Sequence, residues 1–251
     1  MGSRIASQDA IDRLVLWNID LTLVDVARVM RTAYAQAFGA VAGRPLIRLP
    51  QMAGRSESEI FFDALALNGV DVRADGADLL EPFSAELAAA LAARRGDLVS
   101  HGQLLPGAAE AMAAVAKLDG SVQTVLTGNG KPNALLKLRA FGLDGFVDPD
   151  IGGYGSDAYP KGTLLMVARA RAADKHGRTF GEDATVYIGD SPRDVDAART
   201  GGARSLAVAS GRASAAELRD AGADAVLPDL TDTVQVITLI TRLTEPAGSA
   251  P

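Results

Sequence analysis

Leu14-Val15-Leu16-Trp17-Asn18-Ile19-Asp20-Leu21-Thr22 places four consecutive apolar residues directly ahead of a polar stretch. A run apolar on both faces suits a strand inside a parallel sheet covered by helices on each side. The polar residues after it then lie at the strand's carboxyl end, where open parallel sheets gather ligands. The same arrangement recurs downstream. Ser121 to Leu126 leads into Thr127-Gly128-Asn129-Gly130, and Thr185 to Ile188 leads into Gly189-Asp190-Ser191-Pro192-Arg193-Asp194. Ser205 to Val208 and Ala225-Val226-Leu227 are further apolar runs, and helical patterns separate all of them. This alternation predicts an α/β fold with a Rossmann-like, doubly wound parallel sheet as its core.

One stretch breaks the rhythm. Val29 to Val41, Ser56 to Leu67 and Ala77 to Arg94 carry Ala, Leu and Phe at helical spacings with no convincing strand between them. Glu57, Glu59, Asp63, Glu81 and Glu86 read as solvated positions on these helices. Such a segment directly after the first strand predicts a small all-helical domain over residues 26–96, inserted into a core formed by residues 1–25 and 97–251. Thr22 to Val26 and Gly96 to Leu105 would be the hinges. Pro106-Gly107 ahead of Ala108 to Leu118 marks re-entry into the core. Met1-Gly2-Ser3 reads as an expression remnant or a disordered start, and Glu245 to Pro251 as a frayed tail.

Composition narrows the chemistry. The 251 residues include no cysteine, which excludes a disulfide scaffold, a thiolate metal site and a cysteine nucleophile. Lys and Arg total 25 against 31 Asp and Glu, a formal charge of −6 with no basic run, so no nucleic-acid partner is expected. No apolar run approaches the roughly 20 residues of a membrane span, and the first eleven residues are too polar and acidic for a signal peptide. A cytoplasmic protein without a membrane partner is expected, as a monomer or homodimer. Trp17 reads as core, and His101 and His176, isolated in sequence, as surface residues.

Taken in order, the strand-end groups resemble the four motifs of the haloacid dehalogenase superfamily over nearly the whole chain. The family pattern is Asp-x-Asp-x-Thr after the first strand, a strand-end Thr or Ser, a Lys before a helix, and Gly-Asp-x-x-x-Asp. Here Asn18, Asp20 and Thr22, then Thr127, Lys161, and Asp190 with Asp194 fall at those places. The helical insert resembles that superfamily's type-one cap. Thr127-Gly128-Asn129 and the cap stretch Gly54-Arg55-Ser56 are most similar to phosphoglycolate-phosphatase-like members. The resemblance implies a phosphomonoester hydrolase for a small phosphorylated metabolite, working through an aspartyl phosphate with Mg²⁺ as cofactor.

It also implies roles. The residue at 18 is the nucleophile position and Asp20 the acid, then base, two residues on. Side chain 18, Asp20 through its carbonyl, Asp190 and Asp194 would offer oxygen ligands to a hard cation. Thr127, Gly128, Asn129 and Lys161 would hold the phosphoryl oxygens, with Lys131 the rival to Lys161. Arg55 would contact substrate from the cap.

The sequence departs from this pattern at its most consequential position, because Asn18 stands where the family has its nucleophilic Asp. A carboxamide is neutral and its nitrogen lone pair is delocalised, so the chain as given should be inactive or strongly impaired. Either the native residue is Asp and this chain is an inactivated variant, or the protein is a naturally non-catalytic relative that binds a phosphorylated ligand. The intact remainder of the site favours the first, and the gene sequence at codon 18 decides between them. A phosphomutase on the same scaffold is the enzymatic rival. A milder departure is Leu21 where Gly is common, which bears on the turn and not on the chemistry.

Overall fold

The apolar runs become the strands of one sheet in the computed structural model, which describes residues 12–158 and 160–245. The expected loose start at Met1-Gly2-Ser3, and the tail after Glu245, lie outside the described residues. Six parallel strands form the sheet: β1 (Arg13–Trp17), β4 (Ser121–Thr127), β5 (Gly153–Tyr154), β6 (Thr185–Gly189), β7 (Arg204–Val208) and β8 (Ala225–Leu227), in the order β5-β4-β1-β6-β7-β8. β1 is central, and Leu14, Val15, Leu16 and Trp17 are all fully buried, as a strand covered on both faces requires. Val15 and Trp17 pack into one apolar cluster while Leu14 and Leu16 pack into another, one on each side of the sheet. Trp17 is core as expected, its indole N–H donating to Gln123 Oε1 at 2.9 Å.

Helices α5 (Ala108–Val115), α6 (Lys131–Ala140), α7 (Lys161–His176), α8 (Pro192–Gly201), α9 (Ala215–Asp220) and α10 (Thr233–Leu243) connect or follow the strands. The start of α8 is fixed by a capping box in which Ser191 and Asp194 satisfy each other's backbone N–H groups.

Between β1 and α5 lie α1 (Ala27–Ala42), α2 (Glu57–Leu67), α3 (Val72–Ala93) and α4 (Arg95–His101), flanked by the two-residue antiparallel strands β2 (Val24–Asp25) and β3 (Gln103–Leu104). Tyr34, Phe61 and Phe83 form an aromatic stack inside this helical group, with Phe61 and Phe83 4.1 Å apart. The stretch from Gly96 to Leu105, expected as a bare connection, instead holds α4 and β3. Leu98 is fully buried and draws that segment into a helix. His101 is exposed, but His176 is partly buried, edge-on to Phe180 at 6.3 Å, rather than a surface residue. No described helix is long and apolar enough to cross a membrane.

Candidate active site

β1, β4 and β6 are adjacent and parallel, so the loops after them converge: those after β1 and β4 line one cavity, and Asp190 after β6 bonds to Asn18 and Thr22. The loop after β1 turns through Leu21, whose φ of +62° is left-handed and is the only such non-glycine value among the described residues. That conformation costs about 1–2 kcal/mol and lets the chain double back so that Thr22 faces inward, fully buried. Asn18 is buried there as well. Its Nδ2 donates toward Asp20 O at 2.9 Å, Asp190 Oδ1 at 2.9 Å and Thr22 Oγ1 at 3.1 Å, while its Oδ1 accepts from Lys161 Nζ at 3.3 Å. Three oxygens from two strand ends thus surround one small polar group.

Asp190 also accepts from the Thr22 hydroxyl at 3.0 Å. Burial first, and then the charge of Asp194, push its carboxyl up to about 7 against the opposing influence of Thr22, Lys161 and Asn18. Asp194 behaves in the opposite way. Burial alone would raise it, but Lys161 and the hydroxyls of Ser191 and Tyr187 hold it below the usual carboxylate range. Both its oxygens are engaged. Oδ1 pairs with Lys161 Nζ at 2.5 Å and accepts from Tyr187 OH at 2.8 Å, and Oδ2 accepts from Asp190 N, Ser191 N and Ser191 Oγ. The geometry therefore makes Asp194 the partner that aims Lys161, with both of its oxygens taken up by hydrogen bonds.

Asp20 lies across the cavity mouth, bound by a residue that the sequence reading missed. Lys137 is 1% exposed and donates to Asp20 Oδ1 at 2.7 Å, Asp20 Oδ2 at 2.9 Å and Asn129 Oδ1 at 2.7 Å. Asn129 Nδ2 reaches Asp20 Oδ2 at 2.7 Å and Thr127 Oγ1 at 2.6 Å, closing a network between the first two motifs. A signal existed. Asn133 and Lys137 sit one helical turn apart, beside buried Ala134 and Leu138, so two polar residues occupy the inward stripe of α6. Lys131, the rival to Lys161, points elsewhere and pairs with exposed Asp150 at 3.3 Å.

The helical group roofs the cavity. Its backbone N–H at Glu57 donates to Gly128 O at 2.9 Å, and the carboxylate of Glu57 accepts from Gly130 N at 3.0 Å and from Asn133 Nδ2 at 3.0 and 3.1 Å. Glu57 is thus no solvated helix position. Burial raises its carboxyl to about 7, opposed by Lys137 and by the Gly130 and Asn133 hydrogen bonds. Gly128 must lack a side chain because a Cβ there would overlap Arg55 O. A further contact joins Glu59 Oε1 to Arg193 of α8 at 3.1 Å. Arg55 lines the cavity, but its guanidinium is drawn to its own helical group, with NH2 2.7 Å from Asp63 Oδ2 and Nε 3.9 Å from Glu59 Oε1. The cavity, partly open to solvent, has a volume of about 190 Å³, and is lined by Asn18, Asp20, Thr127, Gly128 and Lys161 from the core and by Tyr34, Arg55 and Glu57 from the helical group.

The sequence pattern of the haloacid dehalogenase-like hydrolases matches residues 15–199, and the chain belongs to that family. Among solved structures it is similar to a hydrolase from Pseudomonas syringae, at 22% identity and a TM-score of 0.65 over 91% of this chain and 99% of that one. A predicted phosphatase from Clostridium acetobutylicum gives 16% identity and a TM-score of 0.65 over 91% and 100% of the two chains. CbbY from Rhodobacter sphaeroides, in an Asp-to-Asn variant in complex with xylulose-(1,5)bisphosphate, gives 19% identity and a TM-score of 0.59 over 88% and 95%. No curated protein matches the sequence.

Proposed function

We propose that this chain is a phosphomonoester hydrolase of small metabolites whose nucleophile position is occupied by Asn18, and that Mg²⁺ is its cofactor. The observation that carries the reading is the meeting of Asn18, Asp20 and Thr127, from the ends of two adjacent strands, with Lys161 at the start of α7 around one roofed cavity, and with Asp190 after the neighbouring β6 bonded to Asn18. The residues present fit the cation. Asn18 Nδ2 lies 2.9 Å from both Asp20 O and Asp190 Oδ1, so a hard oxygen set of carbonyl and carboxylate already converges on side chain 18. Asp190, the Asp20 carbonyl and the side-chain oxygen at 18 would hold it, and the amide of Asn18 would have to turn its oxygen inward. When bound, the ion would offset charge on the phosphoryl oxygens.

The remaining steps belong to the chain's own residues. Thr127, the Gly128 amide and Lys161 bind and orient the phosphoryl group, and the helical roof excludes water. With a carboxylate at 18, an Oδ atom bonds to phosphorus as the phosphorus–oxygen bond to the alcohol breaks. Asp20 delivers the proton to that alcohol and then takes one from the water that releases phosphate. With Asn18 the first bond does not form, and binding without turnover is what remains. The Asp-to-Asn variant of CbbY in complex with a bisphosphate supports this ligand-binding reading.

The test is Asn18→Asp, assayed for phosphate release from a panel of small phosphoesters with Mg²⁺. A gain of about 10³-fold or more is expected, or at least about 4 kcal/mol of barrier. Asp20→Asn in that background should abolish the gain. An Asn18→Asp protein that folds, binds phosphate and still releases none from any ester would refute catalysis and leave a phospho-ligand-binding protein.

A further inference from the structure

Two cations of the cavity lining take no part in the steps above. Ala27, Met30, Arg31 and Tyr34 of α1 all line the cavity, a spacing of three and four residues that sets them on one face of the helix. Met30 and Tyr34 are buried on that face, and Arg31 is exposed beside them. Arg212, also exposed, lines the cavity from the core, in the loop after β7. That loop is anchored at the site, because the Ser210 hydroxyl donates to Leu21 O at 2.7 Å and a Cβ on Gly211 would overlap Asp190 Oδ2. Neither guanidinium has an ion pair or a hydrogen bond among the described residues. The other charged groups of the lining are engaged. Lys137 holds Asp20, Lys161 holds Asp194, and Arg55 is paired with Asp63 and Glu59, its Nε buried out of a ligand's reach. Asp25 Oδ1 accepts from Ala27 N at 3.0 Å, and Glu57 accepts from Gly130 N.

We propose that Arg31 and Arg212 form an anion clamp at the cavity mouth, and that the ligand is a short phosphoester with a second anionic group, a carboxylate or a phosphate, at its far end. The inference rests on the phosphatase reading above, which assigns the phosphoryl group to Thr127, Gly128 and Lys161. Arg31 belongs to the helical roof and Arg212 to the core, so the closed roof brings two like charges to one opening. An anion between them relieves that repulsion, and each planar guanidinium can bind a carboxylate or a phosphate through two N–H groups. An apolar or hydroxylated end would leave both charges uncompensated. Met30 and Ile60, buried in the lining, suit the carbons between the two anionic ends. The volume of about 190 Å³ is below the roughly 300–1,000 Å³ of sites for drug-sized ligands, so those carbons are few.

Calorimetric titration of the chain with Mg²⁺ at low ionic strength tests this, using propyl phosphate, the phosphate ester of 3-hydroxypropionate, and propane-1,3-diyl bisphosphate. All three share a three-carbon chain and differ only in the far end. The chain should prefer at least one doubly anionic ester over propyl phosphate by about tenfold, a difference that two solvent-exposed charge pairs can supply. Whichever ester is preferred identifies the second group as carboxylate or phosphate. Arg31→Gln and Arg212→Gln should each cut the preference to about threefold and together abolish it, leaving the affinity for propyl phosphate within about twofold. Arg28→Gln removes the same charge from an exposed position of α1 outside the cavity lining and should keep the preference. Thermal midpoints close to that of the parent confirm folded variants, and the preference in the unsubstituted chain needs no variant at all. Propyl phosphate binding as well as both doubly anionic esters overturns the proposal alone. So does a preference unchanged in either single variant, or one lost equally in Arg28→Gln, which would trace it to overall charge. Failure of all three esters and of inorganic phosphate to bind either the chain or Asn18→Asp overturns the phosphatase reading as well.

Discussion

Glu57→Gln should make the protein relatively more stable as pH rises. In the folded chain the Glu57 carboxyl titrates at about 7 rather than at its ordinary 4.5, with burial as the largest cause. The folded state therefore holds this proton more tightly than the unfolded state does. The sign follows directly, since stability falls with pH wherever the folded state binds more protons. The contribution is fully present below about 4.5, is lost as pH rises to about 7, and is flat above that. At about 1.36 kcal/mol per pH unit, the interval corresponds to at most about 3 kcal/mol. Gln keeps an oxygen to accept from Gly130 N and Asn133 Nδ2 but carries no charge into the interface. Urea unfolding of both proteins at pH 5, 6, 7 and 8 with a chelator present gives the difference, in which the titration of Asp190 and other acids cancels. The stability of Glu57→Gln relative to the parent should climb by about 1–3 kcal/mol between pH 5 and 8. A difference independent of pH would refute the burial of this carboxylate against the core loop, and with it the closed roof.

Lys161→Met should destabilise the fold by about 3 kcal/mol, because it leaves Asp194 buried without its cation; urea unfolding measures this, and a loss below about 1 kcal/mol would refute the pairing. Gly128→Ala should force the roof off the core, since the new Cβ would overlap Arg55 O. Small-angle scattering should then show a larger radius of gyration than the parent, and an unchanged radius would mean that the loop yields instead.

The order of the main strands and the polar clusters at their ends were legible along the chain because both depend on local pattern. An apolar run such as Leu14 to Trp17 declares a doubly covered strand by its composition, and the residues after it fall at the sheet's ligand-binding edge by connectivity alone. Asn18, standing where the family pattern has Asp, was visible for the same reason, being a single letter in a patterned stretch. β2, β3 and β5 were not legible, since two-residue strands carry no period and exist only because a neighbour offers its backbone. Nor could the sequence assign Glu57 and Lys137. A glutamate in a first helical turn and a lysine on a helix are ordinarily solvated. Lys137 meets Asp20 across 117 positions of chain and Glu57 meets Gly130 across 73. Whether such groups face water or each other depends on how the helical insert lies on the sheet. That placement arises from packing of apolar surfaces far apart in sequence, and only the tertiary structure decides it.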